Sequence, residues 1–203
     1  IVDGPLSPGI IYALKYTIGR SDLTKSVWSD LAVSLAMDIK GTDMHSWDDF
    51  LKYCEGATVA PASIYIYLLA ATYTKERHFE YQMPHELSYY ARDLAIYCYI
   101  VHIIRDLIKD AIASPRLITI PNEILFQNDL ARSTLSSSLK NKDPAIVNLA
   151  NDLIRRAEPF YRHGHEVLIE LNNLLGFSEK TALNKLIGVY DQLYRVAQEN
   201  VQI

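Results

Sequence analysis

The sequence predicts an all-α protein built as a single domain. Apolar residues recur at spacings of three and four almost throughout the chain, which is the period of an amphipathic helix, and strand patterns are nearly missing. Short breaks fall at Gly, Pro, Ser and Asn, which end helices and form turns. The 203 residues, 49% of them hydrophobic, suffice for one compact core. We therefore expect one helical domain over residues 1–203.

The periodic segments give the expected helices in chain order. They are 8–19, 22–40, 46–73 with a break near Gly56 to Pro61, 84–113, 121–140 in pieces, 144–174 and 178–200. Ser46 and Asp49 form a capping-box pattern at the start of the third helix, and Ser178 begins the last one. The Ser- and Lys-rich stretch 136–144 is predicted as a surface loop.

Charge and cysteine content exclude several classes of protein. The formal net charge of −4 gives no basic field that would attract nucleic acid. Cys54 and Cys98 fall in apolar helical stretches, which predicts buried thiols in a reducing, cytoplasmic setting rather than a disulfide framework. The most apolar stretches, 57–72 and 94–104, are interrupted and shorter than the roughly 18 residues of a membrane span. No transmembrane segment is expected.

The first residues, Ile1 to Pro5, lack an initiator Met and the basic and apolar regions of a signal peptide. The chain is therefore expected to start in mid-protein, with further helices ahead of it. Motifs that belong upstream of Ile1 cannot be read from this sequence.

The helix over 84–113 is predicted to carry chemistry at its end. Residues 94–104 are apolar nearly all round, so this helix should be enclosed by others. Asp106 and Asp110 follow at i and i+4 and share one helical face. Their mutual repulsion favours a cation, and a divalent ion shared with phosphate oxygens meets the geometry better than Arg105 or Lys109, which point to neighbouring faces. A pair of solvated acids is the alternative for so short a motif.

This helix carries a resemblance to a known family. Residues 91–110 read A-R-D-L-A-I-Y-C-Y-I-V-H-I-I-R-D-L-I-K-D, which resembles the second aspartate-rich motif of the squalene/phytoene synthases, A-x-x-L-G-x-A-x-Q-x-x-N-I-L-R-D-x-x-x-D. The alignment needs no gap. Ala95, Tyr99 and His102 stand where the family has Gly, Gln and Asn. The resemblance implies a helical bundle of the isoprenoid (terpenoid) synthase type around a central apolar cavity.

An upstream segment extends the resemblance. Residues 47–61 read W-D-D-F-L-K-Y-C-E-G-A-T-V-A-P, similar to the family's D-E-L-x-x-Y-C-x-x-V-A-G-T-V-G, which lines the prenyl tunnel. The resemblance implies that Tyr53, Ala57 and Pro61 line a tunnel. Close helix packing of the small residues is the alternative.

Three further segments resemble the family more briefly. The start of the chain is similar to the end of the first aspartate-rich motif, with Asp3 as its last aspartate. Residues 115–123 keep the Arg, Pro and Glu of a family motif at shifted spacing, with Arg116 as the Arg. Tyr190 lies in a stretch that resembles the family's closing helix, where a Tyr faces the cavity.

Members of this family join two prenyl diphosphates head to head with loss of diphosphate. The resemblance implies farnesyl or geranylgeranyl diphosphate as substrate, Mg²⁺ as cofactor, NADPH only if the product is squalene, and room for a peripheral membrane contact during product release. It implies the following roles: Mg²⁺ and catalysis for Asp3, Asp106 and Asp110, catalysis for Tyr53, and substrate binding for Arg105, Arg116, Ala57, Pro61, Tyr99, His102 and Tyr190.

Other readings stay open at this point. A catalytically inactive relative could use the same scaffold as a lipid-binding or assembly protein, and a generic helical interaction domain would have no deep apolar cavity. His163 and His165 imitate a metal cluster, but residues at i and i+2 lie on different helix faces. They are predicted to form a solvated polar patch.

Overall fold

The computed structural model describes residues 7–41, 44–113 and 119–201. Its elements, in chain order, are α1 (Pro8–Ile18), α2 (Lys25–Lys40), α3 (Trp47–Cys54), a π-helical segment (Glu55–Val59), α4 (Ala60–Ala70), β1 (Thr72–Tyr73), β2 (Phe79–Glu80), α5 (Leu87–Ala113), α6 (Asn122–Gln127), α7 (Leu135–Lys140), α8 (Pro144–Leu174) and α9 (Phe177–Val201). The prediction of an all-α fold of the terpenoid synthase type is confirmed.

Helix α5 is the centre of the bundle. It packs against α4, α8, α9 and the π segment, and Tyr90, Ile96, Tyr97 and Ile100 are fully buried along it. Helix α8 approaches α5 closely at Gly164, where a Cβ atom would lie 3.0 Å from the backbone nitrogen of Leu94. The helix whose sequence is apolar nearly all round is therefore the one enclosed by its neighbours, as expected.

The break predicted near Gly56 to Pro61 is a widened helical turn instead. The Ala60 N–H donates to the Glu55 carbonyl, an i to i+5 bond that defines the π segment. Pro61 follows directly, and it has no N–H to donate and a ring that collides with the carbonyl four residues earlier in a regular α-helix. The wider turn accommodates Pro61, so the chain stays helical from α3 into α4.

Gly56 holds the π segment close to α2. It is buried, and a Cβ atom there would lie 2.1 Å from the Asp30 carbonyl oxygen and 2.2 Å from the Ser34 hydroxyl oxygen. At this position the small residue serves close helix packing, which is the alternative to a role in lining a tunnel.

A short hairpin replaces the end of the helix predicted to reach residue 73. Helix α4 ends at Ala70, and β1 and β2 pair antiparallel with Thr72 opposite Glu80 and Tyr73 opposite Phe79. Strands of two residues are too short to show a period-two pattern, so no sequence pattern predicts them.

Helix boundaries elsewhere follow capping and burial. Ser46 caps α3 by accepting a hydrogen bond from the Asp49 N–H at 3.1 Å, while the Asp49 carboxylate accepts from the Ser46 N–H at 3.0 Å, so the predicted capping box is confirmed. Residues 136–140 belong to α7 rather than to the predicted loop, because Leu135 is fully buried and anchors this helix.

Cys54 is buried and Cys98 is half-buried, and both thiols are free. Within the described ranges, no helix combines the length and the apolar character needed to cross a membrane.

Candidate active site

Asp106 lies at the centre of a charged cluster in the last turns of α5. Its carboxylate accepts two hydrogen bonds from Arg105, with Nε 2.9 Å from Oδ1 and Nη2 2.7 Å from Oδ2. His102 Nε2 lies 3.2 Å from the same Oδ2 atom. The Asp106 side chain is only 16% exposed, and Asp110, one turn further on, is half-buried.

The expectation that Arg105 points to a neighbouring face of the helix is wrong. Two nitrogens of its guanidinium donate hydrogen bonds to the Asp106 carboxylate, because a long side chain can bend toward the residue beside it. The hydrogen bonds from Arg105 hold the pKa of the Asp106 carboxyl below its usual range. The ionised carboxylate and the guanidinium therefore sit together at one end of α5.

A row of aromatic rings leads from α3 to this cluster. The Tyr53 ring centroid is 6.2 Å from that of Tyr99, and the Tyr99 ring lies 6.5 Å from His102 with their planes 14° apart. The Phe50 ring also stacks with Tyr99, with their centroids 6.0 Å apart. The structure thus brings together Tyr53, Tyr99 and His102, which the sequence assigned to one site.

Sequence reasoning gave no role to Asp38, which anchors this row. The Tyr53 hydroxyl donates to Asp38 Oδ1 at 2.9 Å, joining α3 to the last turn of α2. Burial raises the pKa of Tyr53, so the phenol keeps its proton and remains a donor. No local sequence pattern indicates this pair, because its two residues are 15 positions apart and lie on different helices.

Three further candidates fall within the described residues. Ala57 is half-buried in the π segment, and Pro61 is half-buried in the first turn of α4. Tyr190 on α9 is half-buried. Burial raises its pKa, and the positive charge of Arg105 partly lowers it again. Asp3 and Arg116 lie outside the described residues, so their roles stay predictions.

The two described aspartates offer the oxygen ligands that Mg²⁺ prefers. Magnesium is usually bound by one or two carboxylates together with water and substrate phosphate oxygens. Asp106 and Asp110 supply such a pair on one helix face, although no group of three acids, histidines or cysteines in the described part of the chain could enclose a metal ion alone. The donor set therefore fits a magnesium ion shared with a diphosphate.

His163 and His165 lie on different faces of α8, as expected, and each contacts another helix. His163 pairs with Asp93 of α5. His165 Nε2 lies 3.1 Å from Asp191 Oδ2 of α9. The predicted solvated patch is wrong for His165, whose side chain is only 26% exposed and which packs against Tyr97.

Comparison with protein-family models adds an independent observation. The model described as squalene/phytoene synthase matches residues 3–177. The chain belongs to the squalene/phytoene synthase family. The match contains all of α5, the aromatic row and the Arg105–Asp106 pair, so the resemblance stated from residues 91–110 and 47–61 is confirmed. Membership makes this chain a prenyltransferase-like protein whose family uses prenyl diphosphates. Comparison with curated proteins gives no match.

Proposed function

We propose that this squalene/phytoene synthase family member is a magnesium-dependent transferase that joins two prenyl diphosphates head to head with loss of diphosphate. Farnesyl or geranylgeranyl diphosphate is the proposed substrate, and the proposed setting is the cytoplasm with a peripheral membrane contact for product release. One observation carries the proposal: Asp106 and Asp110 share a face at the end of a buried helix, beside Arg105 and a row of aromatic rings.

The charged cluster suits a diphosphate group. Mg²⁺ bound at Asp106, Asp110 and the predicted Asp3 would neutralise the diphosphate and make it a better leaving group. Arg105 presents a planar fork that can bind phosphate oxygens in the bidentate manner it uses on Asp106. Arg116 is the second predicted phosphate ligand. Asp106 is ionised before substrate arrives, so no proton has to leave when the site fills.

The aromatic row suits the allylic cation left when diphosphate departs. The ring faces of Tyr53 and Tyr99 attract positive charge, and Tyr190 of α9 is the third proposed ring. Because burial raises the pKa of Tyr53, its oxygen stays protonated and is a poor nucleophile toward the cation. Ala57 and Pro61, four residues apart on the same helical stretch, are the proposed contacts for the prenyl chain.

Diphosphate release tests the proposal. The full-length protein is incubated with Mg²⁺ and either farnesyl or geranylgeranyl diphosphate, and inorganic diphosphate is measured. We expect Asp106→Asn to lower the rate at least about 100-fold, in the range seen when one stabilising group is removed from a polar active site. The matched control is Asp48→Asn, an exposed aspartate in the first turn of α3, which should leave the rate unchanged. Failure of both substrates, or full activity in Asp106→Asn, would contradict it.

A second candidate is a catalytically inactive relative that binds lipids or assembles with other proteins. It is favoured by Arg105 and His102, which together occupy the oxygens of Asp106 and compete with a metal ion. Such a protein would bind a prenyl diphosphate equally well with Mg²⁺ and with a chelator. If turnover is found instead, product analysis with and without NADPH shows whether squalene is formed.

A further inference from the structure

A cavity of about 290 Å³ lies at the opposite end of α5 from Asp106. Ser88 in the first turn of α5 lines it, which puts it about 27 Å from Asp106 along a helix that rises roughly 1.5 Å per residue. Helix α2, the π segment and α4 form the other walls. Its volume is close to the lower limit of small-molecule pockets, about 300 Å³. The cavity therefore lies far from Asp106, and none of the candidate active-site residues lines it.

Acidic side chains dominate the charge of this cavity. Its walls contain four carboxylates and no Lys, Arg or His: Asp22, Asp30, Glu55 and Glu86. Glu55 is paired with Arg92, at 2.7 Å. Asp30 and Glu86 make no side-chain hydrogen bond or ion pair within the described part of the chain. The uncompensated negative charge favours a cationic ligand.

Ser63 supplies an independent sign that a ligand binds here. It lines the cavity from α4, and the residue is only 3% exposed. Its hydroxyl makes no hydrogen bond to any described residue. The hydroxyl oxygen is not fully enclosed, so it faces the cavity and is satisfied there by water or by a ligand. An N–H group of a ligand would satisfy this hydroxyl as an acceptor.

The spread of the carboxylates indicates an organic cation rather than a metal ion. Asp30 lies in α2, Glu55 in the π segment and Glu86 just ahead of α5, and no three such groups in the described ranges are close enough to hold one metal ion. Tyr67 and Tyr81 line the same cavity with ring centroids 6.3 Å apart. Aromatic rings pack against aliphatic chains and also attract the ammonium groups at the ends of such chains.

We propose that this cavity binds a small organic cation in which ammonium groups are joined by a short aliphatic chain. Asp30 and Glu86 hold the charged ends, Ser63 accepts one N–H, and the Tyr67 and Tyr81 rings face the aliphatic part.

Calorimetric titration of the full chain with spermidine at low salt tests this proposal. We expect saturable one-to-one binding that weakens about tenfold in Asp30→Asn and in Glu86→Gln, since each loses one hydrogen bond to a charged group. Ser63→Ala should weaken binding by a smaller factor. Circular dichroism spectra check that each variant is folded.

Two control variants decide where spermidine binds. Glu166→Gln removes an exposed carboxylate on α8 that has no side-chain partner in the described part of the chain, and it should leave the affinity unchanged. Asp106→Asn should also leave it unchanged, because Asp106 lies at the far end of α5. Absence of saturable binding, an equal loss in Glu166→Gln, or a loss in Asp106→Asn would overturn the proposal. These outcomes do not depend on whether the protein transfers prenyl groups.

Discussion

Tyr53 is the residue that joins three helices at the candidate active site. Its ring contacts Tyr99 of α5, and its hydroxyl reaches Asp38 of α2 at 2.9 Å. The ring is buried, and the acceptor of its hydroxyl is a carboxylate. Hydrogen bonds to charged groups contribute more to stability than hydrogen bonds between neutral groups. The contact therefore fixes the orientation of a ring that we place against the substrate.

Replacing Tyr53 with Phe keeps the ring and removes this hydrogen bond. We expect the free energy of unfolding to fall by about 1 kcal/mol, measured by urea denaturation. The matched control is Tyr65→Phe, since Tyr65 is half-buried in α4 and its hydroxyl has no hydrogen bond to a described residue. Equal changes in the two variants would show that the Tyr53–Asp38 contact contributes nothing to stability.

The sequence predicts which residues share a face of one helix, but it does not predict side-chain contacts between helices. The i, i+4 spacing of Asp106 and Asp110 places them on one face whatever surrounds them. Helical spacing does not predict the hydrogen bonds between Arg105 and Asp106, because it describes the direction of Cβ and not the reach of a long side chain. The partner of Tyr53 depends on how α2 packs, which no local pattern encodes.

At the scale of elements, the π segment sets the approach of α2 to the helices that carry the site. Its Gly56 faces the Asp30 backbone so closely that no side chain fits, and the turn widens directly before Pro61. Sequence patterns located the irregularity correctly, because Gly and Pro mark it. They could not tell a break from a wider turn, since both interrupt the helical period.

Gly56→Ala should destabilise the protein, because its Cβ would lie 2.1 Å from the Asp30 carbonyl oxygen. Overpacking of this kind costs about 1–3 kcal/mol, and we expect a loss of that size in thermal or urea unfolding. The same change at Gly188 of α9 is the control, as a Cβ there meets nothing within 4 Å. Gly188→Ala should be neutral or stabilising by up to about 1 kcal/mol, through helix propensity. A neutral Gly56→Ala would contradict the close approach.

Helix α9 is joined to α8 by an interaction that depends on pH. The hydrogen bond with Asp191 raises the pKa of His165, so the folded state binds this proton more tightly than the unfolded state. The resulting stabilisation is fully present below the ordinary histidine pKa of about 6.5, and it is lost as pH rises through the raised value. His165 Nδ1 also lies 2.8 Å from the Tyr161 carbonyl oxygen, which favours the doubly protonated ring.

We therefore expect His165→Gln to lower the free energy of unfolding more at pH 5.5 than at pH 8.5, as measured by urea denaturation. His78→Gln is the control, because His78 is exposed and its ring has no partner within the described part of the chain. Its effect should not change with pH. An effect of His165→Gln that is equal at both pH values would show that the proton on His165 does not stabilise the fold.

At the scale of the whole molecule, α5 is the central helix, and a separate candidate binding site lies at each of its ends. Its C-terminal turns carry the acid pair and Arg105, and its N-terminal turn borders the acid-lined cavity. The all-α class and the central place of α5 could be predicted, because a helix that is apolar nearly all round must be enclosed. The cavity could not be predicted, since its walls come from segments far apart in sequence. The extent of the domain, 1–203, stays a prediction.

The central claim is that Asp106 and Asp110 bind a divalent ion together with a diphosphate. Electron paramagnetic resonance can test it directly, with Mn²⁺ in place of Mg²⁺ because both prefer oxygen ligands. We predict that the full-length protein binds Mn²⁺ more tightly when inorganic diphosphate is added. With diphosphate present, the double variant Asp106→Asn, Asp110→Asn should bind Mn²⁺ at least about tenfold more weakly. Equal binding of Mn²⁺ by the wild-type protein and the double variant would contradict the claim.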